Sequence, residues 1–461
     1  MQRRIKRWAR YHFGWLMGVV CLFVLAIAVV LHWQRPLNAQ PTESIPPIQV
    51  SQPFQLQNWQ PVPAHRADRG NVKVVWLQGT PYEMGYQHGT LLHDEIASMG
   101  AEAIRVLNFA GRGLGLARLA RNRSYPGVLD ECRGLAAATD DIGLTIDGCM
   151  SLAFGDVYQE FFTYVLPNFM FNDGCAQFVA AGAATVDGRL YHGGTLDNNG
   201  EPIDYWLNNS TVFVRQPNDG IPYVSIVVPG MIWPNSGINA AGLSIALNTA
   251  HVVSAEELDL DGRSNVQLMS RILHEASSFE EASALMESET KMISNLITIT
   301  DGNARRAGVF EFTGQNMAVR ELDENGLVYV TNHFVSPEME DKDREPTSAS
   351  SLNRYNRLQQ LLEPGAVSSR YGDVDPAVAV EILRDRTNPN TLRPSPLDVY
   401  DDDASIGGNG SLRQMVFDPE KKLFWVAAGA VPVPENPFVC FSLDEMLGLP
   451  NAAPCEAPMI D

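Results

Sequence analysis

Apolar positions alternate in some stretches of the chain and recur every three to four residues in others, and the two periods mark out strands and helices. Residues 13–33 follow neither period: they are apolar throughout, with no Asp, Glu, Lys or Arg. A run of about 20 such residues matches a bilayer-spanning helix. Residues 34–70 are rich in Pro, Gln and Ser without apolar periodicity and predict a flexible tether. Val72 to Leu77 reads as a strand. Thr80, with Pro81 behind it and Glu83 three residues on, is a helix-start signature. Gly85 and Gly89, one turn apart, let that helix pack closely on a neighbour. From 90 to 166 the period is helical, broken at Gly111–Gly115. Residues 175–185, the Asp187-Gly188 turn and the stretch from Leu190 form a tight hairpin. Strands follow at 211–215, 223–228 and 243–248, with a loop at 230–237. Two helices occupy 264–288, split by Ser277-Ser278. Further strands lie at 296–300, 307–313, 317–322 and 327–331, the last two joined by the hairpin signal Asn325-Gly326. Helices at 348–363 and 375–385 precede a closing hairpin, 413–417 with 423–428. Strands and helices come in separate runs, which predicts α+β layers rather than a doubly wound parallel sheet.

Charge gives the apolar run an orientation. Arg3, Arg4, Lys6, Arg7 and Arg10 precede it, so the first residues face the cytoplasm and the body is exported. A cleaved signal ending near Leu37-Asn38-Ala39 is the alternative, and it exports the body too. The body is therefore expected on the periplasmic or extracellular side, membrane-anchored or secreted. The whole chain carries a net charge of −20 despite that basic tip, which excludes nucleic acid as a partner. At 461 residues it makes one large or two modest domains.

Export permits disulfides. Cys132 with Cys149, and Cys440 with Cys455, are pairs by proximity, which leaves Cys175 outside both. There is no Gly-x-Ser-x-Gly elbow, no phosphate loop and no His-Glu-x-x-His. The chemistry then falls to Cys175, at the head of the hairpin and behind Gly174. A thiol needs a base, because an ordinary cysteine titrates near 8.5. If the Gly174–Cys175 bond breaks, the new α-amine, with an ordinary value of about 7.7–8.0, is a base carried by the nucleophile itself.

The Gly-Cys hairpin with its Asp-Gly turn and Leu196-Asp197 at its end resembles the autoproteolytic N-terminal-nucleophile hydrolases. It is most similar to their penicillin acyltransferase-like branch, related to choloylglycine hydrolases and acid ceramidase. The segment Gly79 to Gly89 resembles the opening of that branch. The resemblance implies a four-layer αββα sandwich and cleavage before Cys175. It implies a mainly helical first chain over 71–174, a catalytic domain over 175–461, and association of the two products. With the basic tip and transmembrane anchor over 1–35 and the tether over 36–70, this gives four regions. The activity implied is on non-peptide amide bonds of a small acyl amide, with no metal or other cofactor. Cys175 matches the nucleophile, Asp197 the aspartate that anchors the amine, Asn332 the oxyanion donor and Arg354 the late arginine near the nucleophile. Asn239 and Asn248, around Gly237-Ile238-Asn239-Ala240-Ala241-Gly242-Leu243, are candidates for a second donor or a substrate contact. Relatives often carry Arg-Asn where this chain has Gly194-Thr195, so substrate recognition is expected to differ. The rival functions are a phospholipase B-like lipid hydrolase on the same fold and an exported binding protein that stays unprocessed.

Overall fold

The computed structural model describes residues 54–56, 58–158, 174–198, 204–250, 254–344, 346–394, 405–408, 410–450 and 452–461. The described strands, in chain order, are β1 (His65–Arg66), β2 (Lys73–Gly79), β3 (Ala176–Gly182), β4 (Gly188–Asp197), β5 (Thr211–Pro217), β6 (Tyr223–Val227), β7 (Ser236–Asn239) and β8 (Leu243–Asn248). They continue as β9 (Asn295–Asp301), β10 (Arg306–Phe312), β11 (Met317–Glu321), β12 (Leu327–Val330), β13 (Ser411–Asp418), β14 (Leu423–Ala428), β15 (Phe438–Ser442) and β16 (Met459–Ile460). One sheet has nine strands in the order β1-β2-β5-β6-β7-β8-β9-β10-β11, the other seven in the order β12-β3-β4-β13-β14-β15-β16. Pairing is antiparallel except between β2 and β5, where Lys73 lies opposite Thr211 in parallel register.

Period-2 alternation assigns each strand residue to one of two faces. Val74, Val212, Val214 and Ile226 of the larger sheet pack against Met415, Phe417, Phe424 and Val426 of the smaller one, so the sheets face each other. Phe213, Ile245, Ile297 and Phe310 turn outward onto the helices Asn265–Glu275 and Phe279–Ser288. Phe178, Tyr191, Val416 and Trp425 turn outward onto Ala349–Leu362 and Pro376–Leu383. The architecture is α+β in four layers, αββα, as expected.

The first segment is not a separate unit. It supplies β2 to the larger sheet, beside β1 from the tether, and its helices pack among themselves and on Ile232, Met292 and Ile293. Thr80 and Glu83 form the expected capping box of the helix Pro81–Leu91. Gly85 also behaves as expected: an added Cβ there would run into the Glu131 carbonyl, and one at Gly134 into that of Tyr82. The helices Pro81–Leu91 and Val128–Ala138 therefore meet backbone to backbone.

Three expectations need correction. The second half of the tether is packed, because Phe54, Leu56, Trp59 and Val62 cover apolar surface and the Trp59 indole donates to the Leu447 carbonyl at 2.9 Å. The loop at 230–237 gives way at Ser236 to β7. Asn325-Gly326 makes a turn but no hairpin: β11 stays with β10 while β12 crosses to the other sheet and pairs with β3. The Gly326 carbonyl accepts from Ala181 N–H at 2.9 Å, so the turn hands the chain to β3. The basic tip, the apolar run at 13–33 and the tether up to 53 lie outside the described residues, as do Asn172 and Asp173. Among the described residues no helix is long and apolar enough to cross a membrane.

Both disulfides are present, Cys132–Cys149 and Cys440–Cys455, and Cys175 is in neither. Each closes on one side of the Gly174–Cys175 bond, so neither links the two segments covalently. Side-chain contacts do link them. Asp156 accepts from Ser264 Oγ and from the Asn265 and Val266 N–H groups, and the Trp233 indole donates to the Leu152 carbonyl at 2.8 Å. Glu131 and Arg215, both buried, form an ion pair across the same boundary. Removing one partner of such a pair leaves a buried charge uncompensated. Glu131→Ala is expected to cost roughly 3–5 kcal/mol, and the double change Glu131→Leu with Arg215→Met to recover most of it. Urea denaturation of the three proteins measures this.

Candidate active site

Cys175 sits one residue ahead of β3 and is 3% exposed. Ala176 pairs with Thr195, and Gly174 N–H donates to the Asp197 carbonyl at 3.3 Å, which carries the ladder past the end of β3. Asp197 thus stands opposite the Gly174–Cys175 bond. Its carboxylate accepts from Thr195 Oγ1, whose oxygen lies 3.3 Å from Ser411 Oγ.

Arg354 reaches this point from the helix Ala349–Leu362. Its guanidinium donates to the Cys175 carbonyl at 2.5 Å, to Asn332 Oδ1 at 2.8 Å and to Ser350 Oγ at 3.1 Å. One buried arginine therefore holds the backbone of the cysteine and orients the asparagine. With Oδ1 taken by a cation, the NH2 end of Asn332 must face the other way. It donates to the Thr249 carbonyl at 2.9 Å. Asn248 makes the mirror contact, donating to the Thr331 carbonyl at 2.7 Å. The two asparagines cross-brace 248–249 to 331–332 and so tie the two sheets together at the rim of the site.

A directed chain of hydrogen bonds runs inward from Asn248. Gln177 Nε2 donates to Asn248 Oδ1, so Gln177 Oε1 must accept, and the partner at 3.1 Å is His192 Nε2. Nε2 then carries the imidazole proton, and Nδ1 accepts from Ser244 Oγ at 2.9 Å. Ser244 in turn accepts from Thr300 Oγ1 at 2.6 Å. Burial pushes His192 down to about 3, which keeps it neutral and fixed as a relay of dipoles.

The structure brings Cys175, Asp197, Asn332 and Arg354 together, with Asn248 one residue behind through Gln177. It does not bring Asn239. That carboxamide accepts from the Ala241 and Leu243 N–H groups and donates to the Leu273 and Ala276 carbonyls. It closes the turn at the end of β8 opposite to Asn248, and its four bonds are spent on backbone. The expectation for Asn239 is therefore corrected to a structural one. His88 is fully buried and accepts from Gly230 N–H at 3.0 Å.

The sequence reading missed Arg413. It lies on β13 opposite Leu196 of β4, is 1% exposed, and donates through Nη2 to the Ile226 carbonyl and to Asn235 Oδ1, both at 3.2 Å. Burial pushes it down to about 9, while a charge on Cys175 acts the other way, so the two groups are in electrostatic reach. A signal was present: alternation puts Arg413 on the same face as Met415 and Phe417, and a cation in an apolar row needs a reason.

Residues 203–430 match the family of acyl-coenzyme A:6-aminopenicillanic acid acyl-transferases. The matched stretch holds Asn239, Asn248, Asn332, Arg354 and Arg413, while Cys175 and Asp197 precede it. An uncharacterized protein of Archaeoglobus fulgidus is 25% identical over 383 residues, covering 74% of this chain and 61% of that one. The chain thus spans about three-fifths of that relative. The 40 kDa form of acyl-coenzyme A:6-aminopenicillanic-acid-acyltransferase from Emericella nidulans is 24% identical over 306 residues, covering 62% of this chain and 76% of its own length. Among solved structures, an N-acylethanolamine-hydrolyzing acid amidase ortholog from Caenorhabditis elegans is similar with a TM-score of 0.38 and 16% identity, covering 53% of this chain and 93% of its own.

Burial also sets the acid response of the fold. His88 and His192 are pushed down to about 3 and His333 to about 4. Unfolded, each titrates near 6.5, so unfolding takes up protons below that value and stability falls as pH drops from it. Asp156 opposes them: burial pushes its carboxyl up to about 6, so its share is present at low pH and lost as pH rises through 6. The expected net result is lower stability at pH 5 than at pH 7, by roughly 1.4 kcal/mol per pH unit for each uncompensated proton. His88→Gln should flatten that slope by about one proton, as read from urea midpoints at pH 7, 6 and 5.

Proposed function

We propose that this chain is a self-cleaving cysteine amidohydrolase or acyltransferase, acting on linear, non-peptide amide bonds through an acyl-Cys175 intermediate. The observation that carries this reading is Arg354, which joins the Cys175 carbonyl to the Asn332 carboxamide and so sets an electrophile-binding amide beside a thiol. The family of residues 203–430 supports an acyl group as the species transferred, since its name describes moving an acyl group to an amine. The disulfides support export into an oxidising compartment, and the apolar run at 13–33 is the proposed anchor.

Cleavage of the Gly174–Cys175 bond releases an α-amine beside Asp197. The thiol proton passes to that amine, and Asp197 holds the ammonium. The thiolate adds to the acyl carbonyl. The remaining Asn332 amide hydrogen and a backbone N–H take the oxyanion. The ammonium then protonates the leaving amine, and water or an acceptor amine removes the acyl group from sulfur. The two product segments stay together through β2, Asp156 and the Glu131–Arg215 pair.

Denaturing electrophoresis of purified protein, with N-terminal sequencing, tests the reading. Two bands are expected without any reductant, the second beginning at Cys175, and Cys175→Ala should give one band with no amidase activity. A single band with full activity on N-acyl amides would sink the mechanism. Asn332→Ala in the processed protein should slow turnover roughly a hundredfold.

A further inference from the structure

Arg413 has no role in the steps above, yet it is costly to keep. Its side chain is 1% exposed, and its Nε and Nη1 have no hydrogen-bond partner among the described residues. The two bonds that it does make go to neutral oxygens, of Ile226 and Asn235. A buried cation without a counter-ion loses its hydration and gains little in return. Such a group in a folded protein points to an anion that arrives later.

The register says where that anion forms. Arg413 pairs with Leu196, and the extended β3–β4 ladder sets Cys175 opposite Leu196 from the other side. Cys175, Leu196 and Arg413 make one cross-strand row on the face turned to the larger sheet. Two strand spacings separate the outer members by roughly 10 Å of backbone, within reach of an extended arginine and a cysteine leaning together. Leu196 is the central member of that row, and the next row is Gln177, Gly194 and Met415.

We infer that Arg413 is the counter-charge of the Cys175 thiolate, a positioning residue that favours the ionised thiol. The inference rests on Cys175 being the nucleophile. With the thiol neutral, Arg413 is an unmatched cation. When the thiol proton moves to the α-amine, one anion and one cation appear together. The thiolate pairs with Arg413 and the ammonium with Asp197, so no net charge is added to the layer. Among the described residues, the groups that bear on the thiol are its own α-amine, Asp197 from β4, Arg354 from the helix Ala349–Leu362 and Arg413 from β13. The sheet opposite presents Asn235, Ser236 and Asn248, which do not titrate. Arg354 binds the Cys175 carbonyl, Asn332 and Ser350, whereas Arg413 interacts electrostatically with Cys175.

The test is the pH profile of iodoacetamide alkylation of processed protein, followed by mass spectrometry of the peptide that begins at Cys175. Each alkylation joins the thiolate sulfur to the reagent carbon and expels iodide, so the rate follows the thiolate fraction. Arg413→Lys keeps the charge, and Arg413→Met removes it at similar bulk. The wild-type thiol is expected to titrate below the ordinary 8.5, Arg413→Lys to follow it within about half a unit, and Arg413→Met to rise by about one unit or more. At pH 6 that is at least a tenfold slower alkylation for Arg413→Met. Should Arg413→Met not fold, Arg413→Gln takes its place: a rise of about one unit supports the counter-charge, and a profile equal to wild type overturns it. Equal profiles for wild type and Arg413→Met overturn it while leaving Cys175 as the nucleophile. A wild-type Cys175 that reacts at no pH overturns the nucleophile itself, and the counter-charge with it.

Discussion

Two sheets pressed face to face leave little room for water, and the rest of this structure follows from that constraint. Any polar group in the layer between them must find its partner within the protein or cost free energy. Most of them do. Thr300, Ser244, His192, Gln177 and Asn248 pass hydrogen bonds in one direction to the Thr331 carbonyl. Because each donor and acceptor is committed, each amide and the imidazole has one allowed orientation. The chain ends at the crossed asparagines that brace the rim of the site, so the rigidity of the interior is delivered to the place where the chemistry is proposed.

Arg354 extends that order to the thiol. Its planar head binds three oxygens at once, which fixes the Cys175 carbonyl and aims Asn332. Cleavage at Gly174–Cys175 would leave the core of this arrangement in place. The sheet ladders on either side of that bond are made by residues that stay in their own strands, and the one backbone bond it carries, from Gly174 to Asp197, lies past the end of β3. The first segment is held by β2 in the larger sheet and by Asp156 at the start of the helix Asn265–Glu275. Self-processing would then change the chemistry of one amine without disturbing the layers.

Part of the site was legible in the sequence. Cys175 and Asp197 belong to one hairpin, and a short stretch with an Asp-Gly turn declares both its own shape and what lies at its ends. Asn332 and Arg354 came through resemblance, and the structure places both against Cys175. Asn239 and Asn248 looked equivalent as candidates. They point to different jobs because β8 runs between them, and only the end carrying Asn248 reaches β3, through Gln177. Arg413 lies two residues beyond Ser411, which is itself 216 residues from Thr195. What the sequence offered there was a single cation in an apolar alternation, with nothing to say what it faced.

The sequence by itself determined the periods of the strands, the capped start of Pro81–Leu91, the close packing at Gly85 and the isolation of Cys175 from two neighbouring cysteine pairs. Each of these depends on residues a few positions apart, where backbone geometry and side-chain type act directly. Tertiary structure alone decided that the chain changes sheets at Asn325-Gly326, that the residues from Phe54 to Val62 lie against the body, and that a cation from β13 shares a row with the thiol. Those outcomes depend on which surfaces bury each other, and burial is settled between segments distant in sequence whose joint free energy no local pattern contains.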